Sequence, residues 1–159
     1  MEIPLIYLKD KQAFTKKGGF LRLLGNPVDT AKKIMGKGYK LIHIVDEDAL
    51  KGLSKNMDVY DALTYFINVQ VECAPDEELV KKLLSLRCRV VLPPDTDISG
   101  YEEKNLLVAK IPKGYAGKAK NFQDVILEDS SLVEKFASKR VMVYEKSDKK
   151  VWGTILSSF

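Results

Sequence analysis

The stretch that decides the fold is NPVDTAKKIMGKGYKLIHIVDEDALKG, from Asn26 to Gly52. Its first part predicts an α-helix, because Asn26 can accept hydrogen bonds from the first free amides and Pro27 suits the first helical position. The glycines of the GKG segment predict the end of that helix. LIHIV, at 41–45, then predicts a strand that is apolar on both faces, as in a parallel sheet covered by helices.

Strand and helix signals alternate on both sides of this stretch. Further strands are predicted for apolar runs at 3–8, 67–72, 87–92, 105–112, 124–129, 140–145 and 151–159. Helices are predicted at 57–66, from Pro75 to about Leu86, in a brief piece near 97–104, and at 130–139 after a capping box. Gly18-Gly19 indicates the turn of a loop or small hairpin. This alternation is typical of βαβ units and a parallel sheet.

Composition describes an ordinary globular chain. It has 159 residues, of which 45% are hydrophobic and 30% charged, with a formal net charge of +4. A chain of this size can bury roughly 68–70% of its unfolded surface, which is enough for a core. The mild positive charge suits an anionic ligand but is too small to indicate nucleic acid.

Several classes of protein are not expected. No apolar run approaches the ~20 residues of a membrane span, and MEIPLIYLKD lacks the basic start of a signal peptide. The sequence therefore predicts a cytoplasmic protein without membrane contact. Cys73 and Cys88 lack CxxC spacing, which favours buried free thiols. The basic and aromatic segment at 113–122 could suit single-stranded RNA, but a solvated loop with an aromatic packed on the sheet is commoner.

The opening stretch resembles a known family. NPV at 26–28, His43 and VDED at 45–48 are similar to the first helix and second strand of the histidine-biosynthesis isomerases. These comprise the phosphoribosylformimino-aminoimidazole-carboxamide ribotide isomerase and the cyclase of imidazole glycerol phosphate synthase. IPLIYLKDKQAF resembles the family's first strand, and INVQVECAPDEELVKKLLSLRCRVVL its third strand, third helix and fourth strand. The resemblance is strongest over 3–92 and describes a short, divergent member.

The resemblance implies a (β/α)8 barrel with its active site at the carboxyl ends of the strands. Such barrels typically need about 250 residues, so this chain is predicted to be a shortened, pruned barrel over 1–159, with mainly parallel strands. The alternative is an open sheet whose bare edge is covered by a second copy. Because parallel sheets rarely leave an edge or face uncovered, we expect a homo-oligomer, most simply a dimer.

The family's acid and base are not found at the matching positions. The resemblance implies aspartates on the first and fifth strands, and the first falls at Tyr7, a poor base at neutral pH. The second falls at Lys110 or Ile111, or near Tyr144 if 140–150 is aligned there instead.

The glycine turns that bind the two substrate phosphates in the family are also replaced. After the third strand, the chain has Glu72-Cys73-Ala74-Pro75, which supplies a negative charge and a residue without an amide proton. After Asp129 the only glycine is Gly153. We therefore do not expect the isomerase reaction.

Polar residues at predicted strand ends form the candidate site. The candidate ligand-binding residues are Lys9, Asp10, Asp46, Asp48 and Glu72, and the catalytic candidates are Tyr7 and Asp46. The alternative is that the aspartates cap loops and pair with lysines. His43, the one histidine, lies inside an apolar strand and is interpreted as a core residue. No cofactor is expected, His-rich metal sites are excluded by that count, and a Mg²⁺ site on paired carboxylates has no support.

Two functions follow from this reading. The first is a divergent relative of the isomerases that lacks their activity and acts as a ligand-binding or regulatory protein, with a small anionic or phosphorylated ligand. The alternative is a small enzyme, of isomerase or lyase class, acting on a phosphorylated sugar at the barrel mouth.

Overall fold

The computed structural model describes residues 1–145 and 147–159. Its strands are β1 Glu2–Lys9, β2 Gln12–Lys17, β3 Phe20–Gly25, β4 Leu41–Asp46, β5 Asn68–Glu72, β6 Arg89–Leu92, β7 Leu107–Ile111, β8 Asp124–Leu127, β9 Arg140–Tyr144 and β10 Gly153–Leu156. The α-helices of these described residues are α1 Pro27–Gly36, α2 Met57–Leu63 and α3 Glu77–Ser85. No helix in the described part of the chain combines the length and apolar character needed to cross a membrane.

Eight of the strands form a closed parallel barrel. They run in the order β1, β4, β5, β6, β7, β8, β9 and β10, and β10 pairs with β1 to close the ring. The closing register places Ile3 opposite Ile155. The pruned barrel is thus confirmed and the open-sheet alternative is wrong. Since the barrel has no bare edge of the kind that motivated a dimer, the dimer stays a prediction that rests on other surfaces.

The remaining two strands form a hairpin outside the ring. β2 pairs antiparallel with the end of β1, where Tyr7 lies opposite Phe14, and β3 pairs antiparallel with β2. Gly18 and Gly19 form the two-residue turn, both with positive φ, as glycine allows. The predicted hairpin is therefore present at the carboxyl end of β1.

Local chemistry explains the helices of the first half. Asn26 caps α1 by accepting hydrogen bonds from the amides of Val28 and Asp29. Asp76 caps α3 by accepting from the amide of Leu79, so Pro75 precedes the cap instead of starting the helix. In α1 and α3 a side-chain oxygen thus satisfies amides that have no partner within the helix, whereas Asn56 before α2 makes no such bond.

The second half of the chain closes the barrel with loops and single 3-10 turns in place of α-helices. The predicted helix at 130–139 is wrong: the segment forms 3-10 turns at Ser130–Leu132 and Glu134–Phe136. Asp129 accepts from the amide and hydroxyl of Ser131 and so caps the first of these turns, but the segment continues as 3-10 turns and not as an α-helix. The helical piece predicted near 97–104 is also wrong, since the 3-10 turn there spans Lys104–Leu106.

The core has two layers, as strand alternation requires. Side chains on the outer face pack under the three helices and, in the second half, under loop residues such as the buried Phe122 and Phe136. Phe122 thus packs on the sheet as the sequence suggested. The interior of the barrel holds a separate apolar cluster of Ile3, Leu5, Leu41, Val91, Val108, Ile126, Met142 and Ile155. Polar side chains lie above and below this cluster, and they form the candidate site.

Candidate functional site at the barrel mouth

Inward-facing side chains from four strands meet at the carboxyl end of the barrel. Lys110 on β7 donates a hydrogen bond to Glu72 Oε1 on β5 over 2.7 Å, and its ammonium lies 3.8 Å from Glu128 Oε1. The same ammonium is 5.8 Å from the centre of the Tyr144 ring on β9. Tyr7 on β1, the first barrel strand, borders this group. β7 is the fifth strand of the barrel, so the residue that matches the family's second aspartate lies on β7 and is not Tyr144 on β9. Of the two candidates on β7, Lys110 and not Ile111 faces inwards near the mouth.

The environment moves the pKa values of these groups away from neutrality. Burial alone would raise the pKa of Glu72, but His43 and the Lys110 ammonium together lower it to about 2. Burial likewise opposes the charge on Lys110, yet Tyr144 and Glu72 hold its pKa above its usual value. Burial raises the pKa of Tyr144 to about 12, and burial and Glu72 raise that of Tyr7. The mouth therefore holds fixed charges and neutral phenols at pH 7.

A directed chain of hydrogen bonds continues from the mouth into the barrel. Arg89 Nε donates to Gln70 Oε1 over 3.0 Å. Because a guanidinium can only donate, this contact fixes the Gln70 amide with its nitrogen towards His43 Nδ1, 2.9 Å away. His43 Nδ1 is then the acceptor, and the proton of the neutral ring lies on Nε2.

The chain of hydrogen bonds ends at a long contact between two buried side chains, those of His43 and Glu72. His43 Nε2 lies 3.4 Å from Glu72 Oε2, which is longer than a normal N–H···O hydrogen bond. Among the described residues, neither of these two buried atoms has another hydrogen-bond partner. His43 is fully buried, as expected of a core residue, but one of its ring nitrogens faces a carboxylate of the mouth.

The opposite end of the barrel is closed by an ion cluster. Asp124 is fully buried and accepts from Arg89 over 2.7 Å and from Arg140 Nε and Nη2 over 2.7 and 2.9 Å. The ring of Trp152 contacts both guanidinium groups, 5.2 Å from that of Arg89 and 5.0 Å from that of Arg140. Arg89 therefore links the ion cluster to the chain of hydrogen bonds that ends at Glu72.

A pocket of about 270 Å³ opens at the mouth. Its wall is mainly apolar and includes Leu50, Leu92 and Pro93, and its polar members are Glu72, Lys110 and Glu128. The pocket can therefore take a small molecule with an apolar body and a polar group that meets the Glu72–Lys110 pair.

Asp46 and Asp48 lie together but within the wall of the barrel. Asp46 is fully buried and accepts from Tyr60 Oη over 2.6 Å and from the amides of Asp48 and Ala49. Asn56 Nδ2 donates to both aspartates, over 3.0 and 3.1 Å. Burial raises the pKa of Asp46. This is the loop-capping geometry that the sequence left as the alternative, and a ligand-binding role for the two aspartates stays a prediction.

Lys9 and Asp10 lie at the rim. Lys9 ends β1 on the same face as Tyr7 and is exposed. Asp10 is exposed, lies 3.3 Å from Lys55 Nζ, and donates its amide to Asp48 Oδ2. Of the candidate residues, the structure thus brings Tyr7 and Glu72 to the mouth and places Lys9 and Asp10 on its border.

Sequence reasoning missed most of the interior polar residues. Gln70, Arg89, Asp124 and Arg140 belong to short strands in which it was not known which residues face inwards. One signal was available: Arg89, Asp124 and Arg140 each begin a strand, with an apolar run after them. A charged residue repeated at that position on three strands indicates a ring at the amino end of a barrel.

Cys73 and Cys88 are buried and free, as the sequence predicts. Burial raises the pKa of each thiol to about 12, so neither is a thiolate nucleophile at neutral pH. Gly153 begins β10, where a Cβ would meet Ile3 Cδ1 at 2.7 Å. It therefore serves barrel closure.

Together, the closed ring of parallel strands and the polar cluster at its carboxyl end define a (β/α)-barrel class of protein in shortened form. No protein-family model matches the chain. It is 30% identical over 122 residues to an uncharacterized protein of Methanocaldococcus jannaschii, covering 67% of this chain and 54% of that protein.

Two isomerases are also similar over part of their length. Both are 1-(5-phosphoribosyl)-5-((5-phosphoribosylamino)methylideneamino)imidazole-4-carboxamide isomerases. The one from Methanocaldococcus jannaschii is 36% identical over 91 residues, covering 53% of this chain and 38% of the isomerase. The one from Nitrosopumilus maritimus is 31% identical over 93 residues, covering 57% and 37%. The chain thus spans about half of the first relative and less than two-fifths of each isomerase, and its relationship to the isomerases is weak and partial.

Proposed function

We propose that the chain binds a small ligand at the barrel mouth as a ligand-binding or regulatory protein and does not carry out the isomerase reaction of its distant relatives. One observation carries this proposal. Tyr7 and Lys110 face inwards on the first and fifth barrel strands, where the family resemblance implies the acid and base. The pKa of each is raised, so neither exchanges a proton readily at neutral pH.

The pocket supports the ligand half of the proposal. Its apolar wall can hold the body of a metabolite, while Glu72 and Glu128 disfavour a phosphate deep in the pocket. We place the anionic group of the ligand at the rim, near the exposed Lys9 and Lys16. Lys16 Nζ lies 5.1 Å from the centre of the Tyr7 ring, on the border of the mouth.

Complementation tests the loss of isomerase activity. The gene is expressed in a histidine auxotroph that lacks the isomerase, with the Methanocaldococcus jannaschii isomerase as the positive control. We expect no growth from this chain and growth from the control. Growth from this chain would overturn the proposal.

Calorimetric titration with ribose and phosphoribosyl compounds tests binding. We expect heat from at least one phosphorylated compound and weaker binding by Lys9→Ala/Lys16→Ala than by the control Lys118→Ala/Lys120→Ala. The control removes the same charge from the loop between β7 and β8. The absence of heat across the set would leave only a regulatory role through a protein partner.

A second function is favoured by the loose contact between His43 and Glu72. Two buried polar atoms that face each other and have no other partner in the described part of the chain are what a proton-transfer site would contain. On this alternative, the chain is a small enzyme of isomerase or lyase class acting on a phosphorylated sugar. Turnover of a pentose phosphate that is abolished by Glu72→Gln would establish it, and no turnover by the wild-type chain would remove it.

A further inference from the structure

The hairpin of β2 and β3 leaves one strand edge open. β3 is the last strand of the sheet order: β2 pairs along one side of it, and no strand of the described residues pairs along the other. Natural sheets usually protect such edges with charges, proline or short strands. β3 has six residues, FLRLLG, and Arg22 is its one charge. An edge of this length and character is open to pairing.

The register shows which backbone groups are free. Gly18 and Gly19 form a two-residue turn, so Lys17 and Phe20 are a hydrogen-bonded pair. Pairs then alternate along an antiparallel ladder, which turns the N–H and C=O groups of Leu21 and Leu23 away from β2. These two residues present donors and acceptors to an incoming strand.

Apolar side chains lie on both faces of this edge. Phe20 lies on one face and is 78% exposed, and Leu24, at the register shift between β2 and β3, is 44% exposed. Leu23, on the other face with Leu21, is 61% exposed. A flat lipid surface could cover only one of these faces. A strand added at the edge would pack against both, because its own side chains alternate in the same way.

Charge excludes some occupants and favours others. From residue 11 to residue 25 the chain has four cations, Lys11, Lys16, Lys17 and Arg22, and no acidic residue. Lys11 is paired with Asp58, 3.0 Å away, whereas Lys16, Lys17 and Arg22 are exposed. A second copy of the chain would bring an identical set of cations, which repel. An acidic partner is complementary.

We propose that the β3 edge is a docking site for an extended acidic segment of another protein, which adds as a strand beside β3. Its backbone pairs with Leu21 and Leu23, its apolar side chains cover both faces, and its carboxylates meet Lys16, Lys17 and Arg22. Lys16 also borders the mouth, but no residue of β3 lines the pocket and the backbone pairing at Leu21 and Leu23 does not involve it, so this proposal does not depend on the proposed ligand.

A labelled peptide provides the test. The probe is a fluorescein-labelled peptide of alternating glutamate and valine. The control peptide has the same numbers of glutamates and valines and one additional proline: its central valine is exchanged for proline and a valine is added at one end. Fluorescence anisotropy is expected to show binding of the first peptide alone. Leu23→Pro removes the outward amide without removing a bond to β2 and should weaken binding by at least about tenfold, while Leu23→Val should retain it.

Two further measurements keep the result interpretable if Leu23→Pro disturbs the hairpin. Amide hydrogen exchange on the wild-type chain should slow at Leu21 and Leu23 when the peptide binds. Lys16→Glu/Lys17→Glu should weaken binding, whereas Lys118→Glu/Lys120→Glu, with the same change in charge, should not.

Other occupants would give different results. Absence of peptide binding, or binding without protection of Leu21 and Leu23, overturns the proposal. Binding only to phosphatidylcholine–phosphatidylserine vesicles, or only to oligouridine, replaces it with a lipid or RNA surface. A dimer in analytical ultracentrifugation that is lost in Leu23→Pro replaces it with a second copy.

Discussion

At the scale of single residues, Glu72 connects the two polar parts of the barrel. One of its oxygens accepts from Lys110 and the other faces His43. Two charges taken out of water are stabilising only if each keeps its partner, so the loss of either side chain leaves an uncompensated charge in the mouth. The state of Glu72 should therefore control both the stability of the barrel and its affinity for a ligand.

The depressed pKa of Glu72 predicts an acid-sensitive stability. A carboxyl whose pKa falls from 4.5 to about 2 on folding contributes about 3 kcal/mol above pH 4.5, and this is lost as pH falls towards 2. Urea unfolding between pH 7 and pH 2 measures it. Glu72→Gln should reduce the slope of the free energy of unfolding against pH between pH 4.5 and 2. Glu77→Gln, which breaks the surface pair with Lys81, should leave it steep, and equal curves for the wild type and Glu72→Gln would contradict the assignment.

The amide of Gln70 predicts the tautomer of His43. Because the chain has one histidine, nitrogen-15 spectra of its imidazole are unambiguous. In the neutral ring we expect the proton on Nε2. Gln70→Glu places an acceptor beside Nδ1 and should move the proton there, while Gln70→Leu should leave a mixture. A wild-type ring protonated on Nδ1 would mean that the hydrogen-bond chain does not run from Arg89 towards the mouth.

At the scale of elements, the sequence predicts strands and caps well where local chemistry is decisive. Asn26 and Pro27 define the start of α1, and apolar runs between glycine and proline define the strands. The predicted helix at 130–139 is wrong although Asp129 does cap a turn there, because a cap is a local signal that does not distinguish a 3-10 turn from an α-helix. The interior site is harder to predict, since a strand of four or five residues gives no sign of which side faces inwards. Asp46 lies at a strand end, as predicted, but its side chain is held within the wall by Tyr60.

The cap of α1 predicts a measurable cost. Asn26→Ala removes the acceptor for two amides and should lower the free energy of unfolding by about 1 kcal/mol, whereas Asn26→Asp should retain most of it. Thermal or urea unfolding measures the difference. No loss in Asn26→Ala would mean that water satisfies the first turn of α1 equally well.

At the scale of the whole molecule, eight strands close a barrel in a chain of 159 residues because loops and single 3-10 turns replace helices after β6. Closure depends on a narrow seam. β10 brings Gly153 against Ile3 and Met142, where an added Cβ would lie 2.7 Å from Ile3 Cδ1 and would force that side chain to shift. The resemblance to a barrel family predicts the ring of strands, but the size of residue that the seam requires follows only from the register of β1 and β10.

The seam predicts the effect of a larger residue at position 153. Gly153→Val would place atoms about where Ile3 Cδ1 lies, and overpacking of this kind typically costs about 1–3 kcal/mol. Gly100→Val is the matched control, because apart from its chain neighbours no atom of the described residues lies within 4 Å of its Cβ position. Urea unfolding of both variants provides the comparison. Equal stability would show that the seam can widen.

The same seam has a consequence for how the chain folds. The amide of Thr154 donates to the carbonyl oxygen of Met1, and the amino group of Met1 donates to Trp152, 151 positions away. Strands that are close in sequence, such as β4 and β5, can pair early in folding. β1 and β10 can pair only after the two ends of the sequence have come together. Contacts between residues so far apart in sequence slow refolding, so we expect β1 and β10 to pair, and the barrel to close, in the last and slowest kinetic phase.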